Sequence, residues 1–141
     1  MASLNFEDLR VGDEARLRVE FPAGKVDEFV TLTGDDATFH TNAVVARQFG
    51  FESCIVHGLL VQSPLSTLLG TTLPGSNTVI NTITSKFHAP TYVGEAVDYA
   101  IRVTRLTAAV GAVLLEYEAK VDDRKVLSGT VMCSFMTRRE S

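Results

Sequence analysis

Cysteine is scarce: Cys54 and Cys133 are the only two in 141 residues, and they share no CxxC spacing. Two such thiols give neither a zinc site nor a disulfide framework. Each sits among apolar neighbours and reads as a reduced, buried packing residue. Basic clusters are missing as well. Lys and Arg number 13 against 17 Asp and Glu, a formal charge of −4, and the one basic pair, Arg138–Arg139, reads as a solvated tail. A nucleic-acid partner is not expected, because phosphate binding needs clustered cations. No apolar stretch approaches the ~20 uninterrupted residues of a membrane span. The opening MASLNFEDLRVGDEARL carries acids early and no apolar core flanked by basic residues, unlike a secretory signal. A cytoplasmic protein with no membrane partner is the expectation. There is no G-x-S-x-G elbow, no Gly-rich phosphate loop and no His/Asp/Glu grouping at metal-ligand spacing, so neither a serine hydrolase nor a bound metal is expected.

What is present suits a packed core: 45% hydrophobic and 21% charged over 141 residues, a length expected for one domain, residues 1–141. Glu14–Phe21 alternates Ala15, Leu17, Val19 and Phe21 against charged residues, the period of a half-buried strand. Ala23–Thr33 spaces Val26, Phe29, Val30 and Thr33 as a helix, with Gly34 as its stop. A second helix is expected over Asn42–Phe49. The most apolar stretch, Ile55–Leu73, has leucines on more than one face and predicts a core helix kinked at Pro64. After a turn at Pro74–Asn77 come four strand-like runs, Val79–His88, Ala96–Leu106, Val110–Val121 and Lys125–Met136, whose short connections suit an antiparallel meander. The class is α+β: a curved antiparallel sheet wrapped round a long central apolar helix.

The chemistry-bearing stretch is Phe29–Ala46, FVTLTGDDATFHTNAVVA. Between two apolar helices it packs Gly34, Asp35, Asp36 and His40. A carboxylate and an imidazole five residues apart on a loop can converge on one water molecule. Adding water to an unsaturated thioester needs such a pair, one group drawing a proton from water and one managing the proton that arrives at C2. The alternative is structural: Asp35 and Asp36 as turn residues or a helix cap, and His40 as a satisfied core or surface histidine. Gly58 stands where the long apolar helix should begin, where first-turn N–H groups are unpaired and could hold a developing oxyanion. The alternative there is a plain helix-start glycine.

Phe29-x3-Thr33-Gly34-Asp35-Asp36-Ala37-Thr38-Phe39-His40 resembles the signature of the MaoC-like, or hydratase 2, family of (R)-specific enoyl-CoA hydratases. Ile55-Val56-His57-Gly58-Leu59-Leu60 resembles that family's second motif, and Phe87-x-Ala89-Pro90-x4-Glu95, with Gly94, its third. The three occur in the family's order. The resemblance implies a hot-dog fold and a homodimer joined edge to edge through its sheets. It also implies a catalytic dyad of Asp35 and His40, with the Gly58 N–H on the thioester carbonyl and Ser66 near the site. Leu59 and its helix face would line the acyl pocket, and His57 would be chiefly structural. One departure stands out: the family's Asn-Pro is Ala37-Thr38 here, which removes a stiffening proline from the loop that presents the dyad.

The implied activity is that of a hydro-lyase, reversibly hydrating trans-2-enoyl-CoA to (R)-3-hydroxyacyl-CoA without a metal or redox cofactor. Coenzyme A or a carrier protein's phosphopantetheine would enter only as part of the substrate. Lys25, Arg47 and Lys86 are candidates to meet its phosphates. Three rivals use the same fold. One is a dehydratase of a carrier-bound intermediate in polyketide or specialised metabolism; another is a catalytically silent thioester-binding module. The third is a thioesterase, whose acid would sit on the central helix where this chain has Gln62.

Overall fold

The computed structural model describes residues 4–137 and 139, so Arg138 of the basic pair lies outside the described residues. The chain opens with strand β1 (Glu14–Glu20), its apolar positions turned inward and its charged ones to solvent. Helix α1 (Ala23–Thr33) buries Val26 and ends at Gly34, whose left-handed φ of 79° lets its N–H close on the Val30 carbonyl. Helix α2 (Ala43–Gln48) is capped by Asn42, whose side-chain oxygen accepts from the N–H groups of Val44 and Val45.

The apolar run forms two helices in place of one: α3 (Gly58–Gln62) and α4 (Pro64–Thr71). The helix is therefore shorter than Ile55–Leu73, and it is interrupted where Pro64 has no N–H to give the Leu60 carbonyl. Ser63 compensates, donating both its N–H and its hydroxyl to that carbonyl. The Tyr99 hydroxyl reaches up from the sheet to the Val61 carbonyl. Val61, Leu65, Leu68 and Leu69 are buried, whereas Leu59 is 64% exposed, so the helix is not greasy-side-in all round. Ile55 belongs to a bridge with Tyr92 instead of to the helix.

Four strands follow: β2 (Thr78–Phe87), β3 (Ala96–Thr107), β4 (Ala112–Val121) and β5 (Arg124–Phe135). Their bounds fall within two residues of the hydropathy pattern. The pairing differs from a four-strand meander. Only β3, β4 and β5 follow one another; the order is β1-β3-β4-β5-β2, antiparallel throughout. The length of the 88–95 connection permits this order. At roughly 3.3 Å per residue it reaches well beyond the ~14 Å that three strand spacings require, and it crosses the sheet end instead of turning back.

That crossing matters for the site. Thr91 accepts from the Val56 N–H (2.7 Å), and the Val93 N–H donates to Cys54 (3.1 Å). Further on, Gly94 and Glu95 pair with Phe21 and prolong the β1–β3 ladder. Segment 54–57 is thereby clamped just ahead of Gly58. The inward residues of β3 and β4, Val97, Tyr99, Ile101, Val103, Val113, Leu115 and Ala119, form one core with α3 and α4. Each large aliphatic side chain there contributes about 1.5–3 kcal/mol relative to exposure. Cys133 is buried in that core, as its neighbours imply, but Cys54 is only half-buried because it lies on the clamped loop. No helix among the described residues is long and apolar enough to cross a membrane.

Candidate active site

Gly34 turns the chain out of α1, and Asp35 begins the loop that follows. The Asp35 N–H donates to the Thr33 hydroxyl (3.2 Å), and one Asp35 carboxylate oxygen accepts from the Ala37 N–H (3.4 Å). Asp35 is thus a turn residue as well as an exposed acid, and neither Asp caps α2, since Asn42 holds that place. Ala37 has φ −51° and ψ 129°, and Thr38 opens a 3₁₀ turn, Thr38–His40. An extended residue followed by a first-turn position is the backbone that an X-Pro pair would impose. The loop keeps that course without the proline.

The 3₁₀ turn delivers His40 into the interior, where it is buried between Phe39 and His57. Its Nδ1–H donates to the Ile55 carbonyl at 2.7 Å, which leaves the Nε2 lone pair free in the neutral ring. Burial lowers the pKa of His40 below 6.5. The Ile55 hydrogen bond and the Asp35 charge oppose the shift, and neighbouring His57 adds to it. The ring is therefore neutral at pH 7 and available as a base.

His57 lies face to face with His40, ring centroids 3.6 Å apart and planes at 20°, with Phe29 tilted against its other side. Its Nε2–H donates to the Asp35 carbonyl at 2.8 Å. Nδ1 of His57 is buried with no protein partner. His57 thus ties the Asp35 loop to the start of α3.

A cleft of about 270 Å³ opens over these groups, lined by Phe29, Asp35, His40, His57, Gly58, Leu59 and Phe87. Five of the six site residues read from the sequence meet there. Ser66 does not: it is exposed on α4 and lines no part of this cleft. Of the cations considered for phosphates, Lys25 donates to the Glu20 carbonyl and lines a separate groove, and Arg47 and Lys86 are exposed. Gln62 donates to the Ser85 hydroxyl (2.5 Å) and is absorbed into a network with Tyr117, so it is no free acid substitute in the cleft. His88 is exposed and bonded to Ser128.

Asp35, His40 and His57 also have the donor set for a divalent cation, with one ligand atom of each within 4.8 Å of the others. Imidazole ligates in its own plane. Two stacked rings aim their free lone pairs side by side, not at one point, so the trio suits proton transfer better than ligation.

Phe29 of the first motif lines the cleft without having been read as a site residue, and two further contributors were not read as site parts. One is the Ile55 carbonyl, a backbone atom that sets the His40 tautomer. The other is Phe87, which the third motif contains but whose place on the cleft wall depends on the β2–β5 register.

A model of the MaoC-like domain matches residues 10–123. The chain belongs to the MaoC-like dehydratase family. It is 32% identical to the 3-hydroxybutyryl-CoA dehydratase of Methylorubrum extorquens over 138 residues, 98% of this chain and 88% of that protein. It is 36% identical to the (R)-specific enoyl-CoA hydratase of Aeromonas caviae over 103 residues, 73% of this chain and 77% of that one. The solved structure of the Aeromonas caviae (R)-hydratase involved in PHA biosynthesis superposes with a TM-score of 0.88 at 30% identity, covering 92% of this chain and 99% of that chain. The MaoC-like protein described here has the hot-dog fold, its sheet curled about α3 and α4.

Proposed function

We propose that this protein hydrates trans-2-enoyl thioesters to (R)-3-hydroxyacyl thioesters, and catalyses the reverse dehydration, on coenzyme A or a carrier protein. The carrying observation is the His40 Nδ1–Ile55 bond, which leaves Nε2 unprotonated in the neutral ring of a histidine that lines one cleft with Asp35. Water held between the two loses a proton to the dyad as its oxygen attacks C3, and the dyad returns a proton to C2 on the same face. One water is consumed and no electron changes hands. The Gly58 N–H, in the first turn of α3, takes the negative charge that gathers on the thioester oxygen. Leu59, Phe29 and Phe87 supply the apolar part of the cleft wall. The names of the relatives support both directions of the reaction.

The assembly we favour is a homodimer joined through β2. Both β1 and β2 are sheet edges. β1 is guarded by Glu14, Arg16, Arg18 and Glu20, whereas β2 exposes Val79, Ile80 and Ile83. An unguarded apolar edge is what a second strand pairs with. Ile83→Lys should convert a dimer to monomer in sedimentation equilibrium.

The functional test is a panel of trans-2-enoyl and 3-hydroxyacyl thioesters on coenzyme A and on a carrier protein, followed at the enoyl absorbance. Loss of absorbance with crotonyl-CoA supports the reading. Turnover confined to carrier-bound substrates would assign the protein to carrier-bound dehydration. Release of free thiol, or binding with no spectral change, would refute it.

A further inference from the structure

We propose that Gln62 is a positioning residue: through Ser85 it fixes how α3 lies on β2, and so where the Gly58 N–H points. The inference rests on the thioester hydration proposed above, in which that N–H meets the substrate carbonyl.

α3 spans only Gly58–Gln62, too short to hold its own course. The bonds to segment 54–57 fix where the chain enters it. Tyr99 holds the Val61 carbonyl from β3, which leaves the side toward β2 to Gln62. Gln62 stands one turn beyond Gly58 on the same face, about 6 Å along the axis. On β2, Ser85 and Phe87 are alternate residues of one face, ~6.6 Å apart. The two spacings match, and both pairs touch. The Gln62 Nε2–H donates to the Ser85 hydroxyl (2.5 Å). The Phe87 ring lies so near Gly58 that a Cβ there would stand 3.0 Å from its Cε1. Helix and strand are thus held in register at two levels, one of them at the peptide that would meet the thioester.

The polar level has a fixed direction. Tyr117 on β4 gives its hydroxyl proton to the Thr84 carbonyl (2.8 Å), so Ser85 donates to Tyr117 and accepts from Gln62. The Thr84 carbonyl has room for this because residue 129 is glycine, where a Cβ would stand 1.8 Å from its oxygen. Groups from α3, β2 and β4 therefore form one chain with every proton assigned, each link polarising the next. Gln62 and Ser85 are half-buried and Tyr117 is buried. Their bonds lie within one chain, so strand pairing along the free edge of β2 does not use them.

The test compares the full chain with Gln62→Met, Ser85→Ala and the double variant. Methionine keeps the bulk and helix propensity of glutamine and lacks the donor. Freed on its β2 side, α3 can turn, and an ångström of misplacement costs about 10²-fold. In each single variant kcat for crotonyl-CoA should fall at least ten-fold with KM within about three-fold, because the Gly58 bond strengthens in the transition state. The double variant should match the worse single one within about three-fold, since all three lose the same link. A spectroscopic readout separates aim from stability. Bound butanoyl-CoA, isotope-labelled at its carbonyl carbon, has no double bond to hydrate. Its carbonyl stretch should be lowered from the free value in the unmodified protein and return at least halfway in Gln62→Met. A fall in kcat under about three-fold in folded Gln62→Met, losses that multiply in the double variant, or a band that Gln62→Met leaves in place would each overturn the proposal. Ser85→Ala takes its place should the methionine variant not fold. Absence of crotonyl-CoA hydration by the unmodified protein would defeat the proposed function instead. The butanoyl-CoA band then decides alone: a shift lost in Gln62→Met supports the role of Gln62, and an equal shift or none in both proteins refutes it.

Discussion

Replacing His57 with leucine separates stability from activity in a way that few buried substitutions do. His57 is 2% exposed, and its ring makes one hydrogen bond, from Nε2 to the Asp35 carbonyl. Losing that bond costs about 1 kcal/mol, and the exposed loop lets the carbonyl turn to water. Losing the ring contact with His40 costs on the order of another 1 kcal/mol. Against this, Nδ1 is buried without a protein partner, and removing an unsatisfied polar atom returns about 1–3 kcal/mol. Leucine has nearly the volume of histidine, so no large cavity opens. The balance lies within about 1 kcal/mol of zero, a Tm shift of at most about 4 °C for a chain of this size. Activity should behave differently. The tie between the dyad loop and α3 is gone, and an ångström of freedom at Asp35 costs about 10²-fold in kcat. Thermal unfolding by circular dichroism, paired with crotonyl-CoA hydration, measures both. A Tm fall above about 8 °C would refute the reasoning by showing both ring nitrogens to be paired; undiminished kcat would refute the positioning role.

Because burial depresses the His40 pKa, the base stays neutral to below pH 6.5, and the acid limb of kcat/KM should fall on the acid side of 6.5. The same shift has a stability sign. The unfolded chain binds the His40 proton more readily, so its contribution is complete above 6.5 and is lost as pH falls through the lowered folded value. The Tm should drop between pH 7.5 and 5.5, by less in His40→Asn than in the unmodified protein. Gly129→Ala tests the β2–β5 contact. An added Cβ would stand 1.8 Å from the Thr84 carbonyl oxygen and 2.8 Å from the Tyr117 hydroxyl. Prising the strands apart should cost about 3 kcal/mol, or roughly 10 °C in Tm, and a fall under 2 °C would contradict the geometry.

The strands and helices were legible because their signals are local. Alternating Val97, Tyr99, Ile101 and Val103 leave β3 little choice of face, and Gly34 marks the end of α1. Pro64 marked the interruption of the central helix, though not that Ser63 and Tyr99 would take up the freed carbonyls. The sheet order was not legible. Hydropathy shows that β2 is a strand but not that its partner lies at the far end of the chain; that depends on the 88–95 crossing, whose bonds to residues 54–56 are backbone only. At the site, residue type and spacing offered Asp35, His40 and Gly58, and the family resemblance added His57 and Leu59; all five line one cleft. Ser66 stayed outside it because Pro64 restarts the helix, with Leu65, Leu68 and Leu69 buried and Ser66 exposed. The stacking of His40 on His57 had no signal, since two histidines 17 residues apart carry no pattern.

The most direct measurement is crotonyl-CoA hydration by Asp35→Asn and His40→Ala, each with its fold verified by circular dichroism. Each group handles a proton in the transition state, so either change should lower kcat/KM by 10³-fold or more while the spectrum stays native. Turnover within about ten-fold of the unmodified protein in either variant would remove that residue from the chemistry, and with it the mechanism proposed for this site.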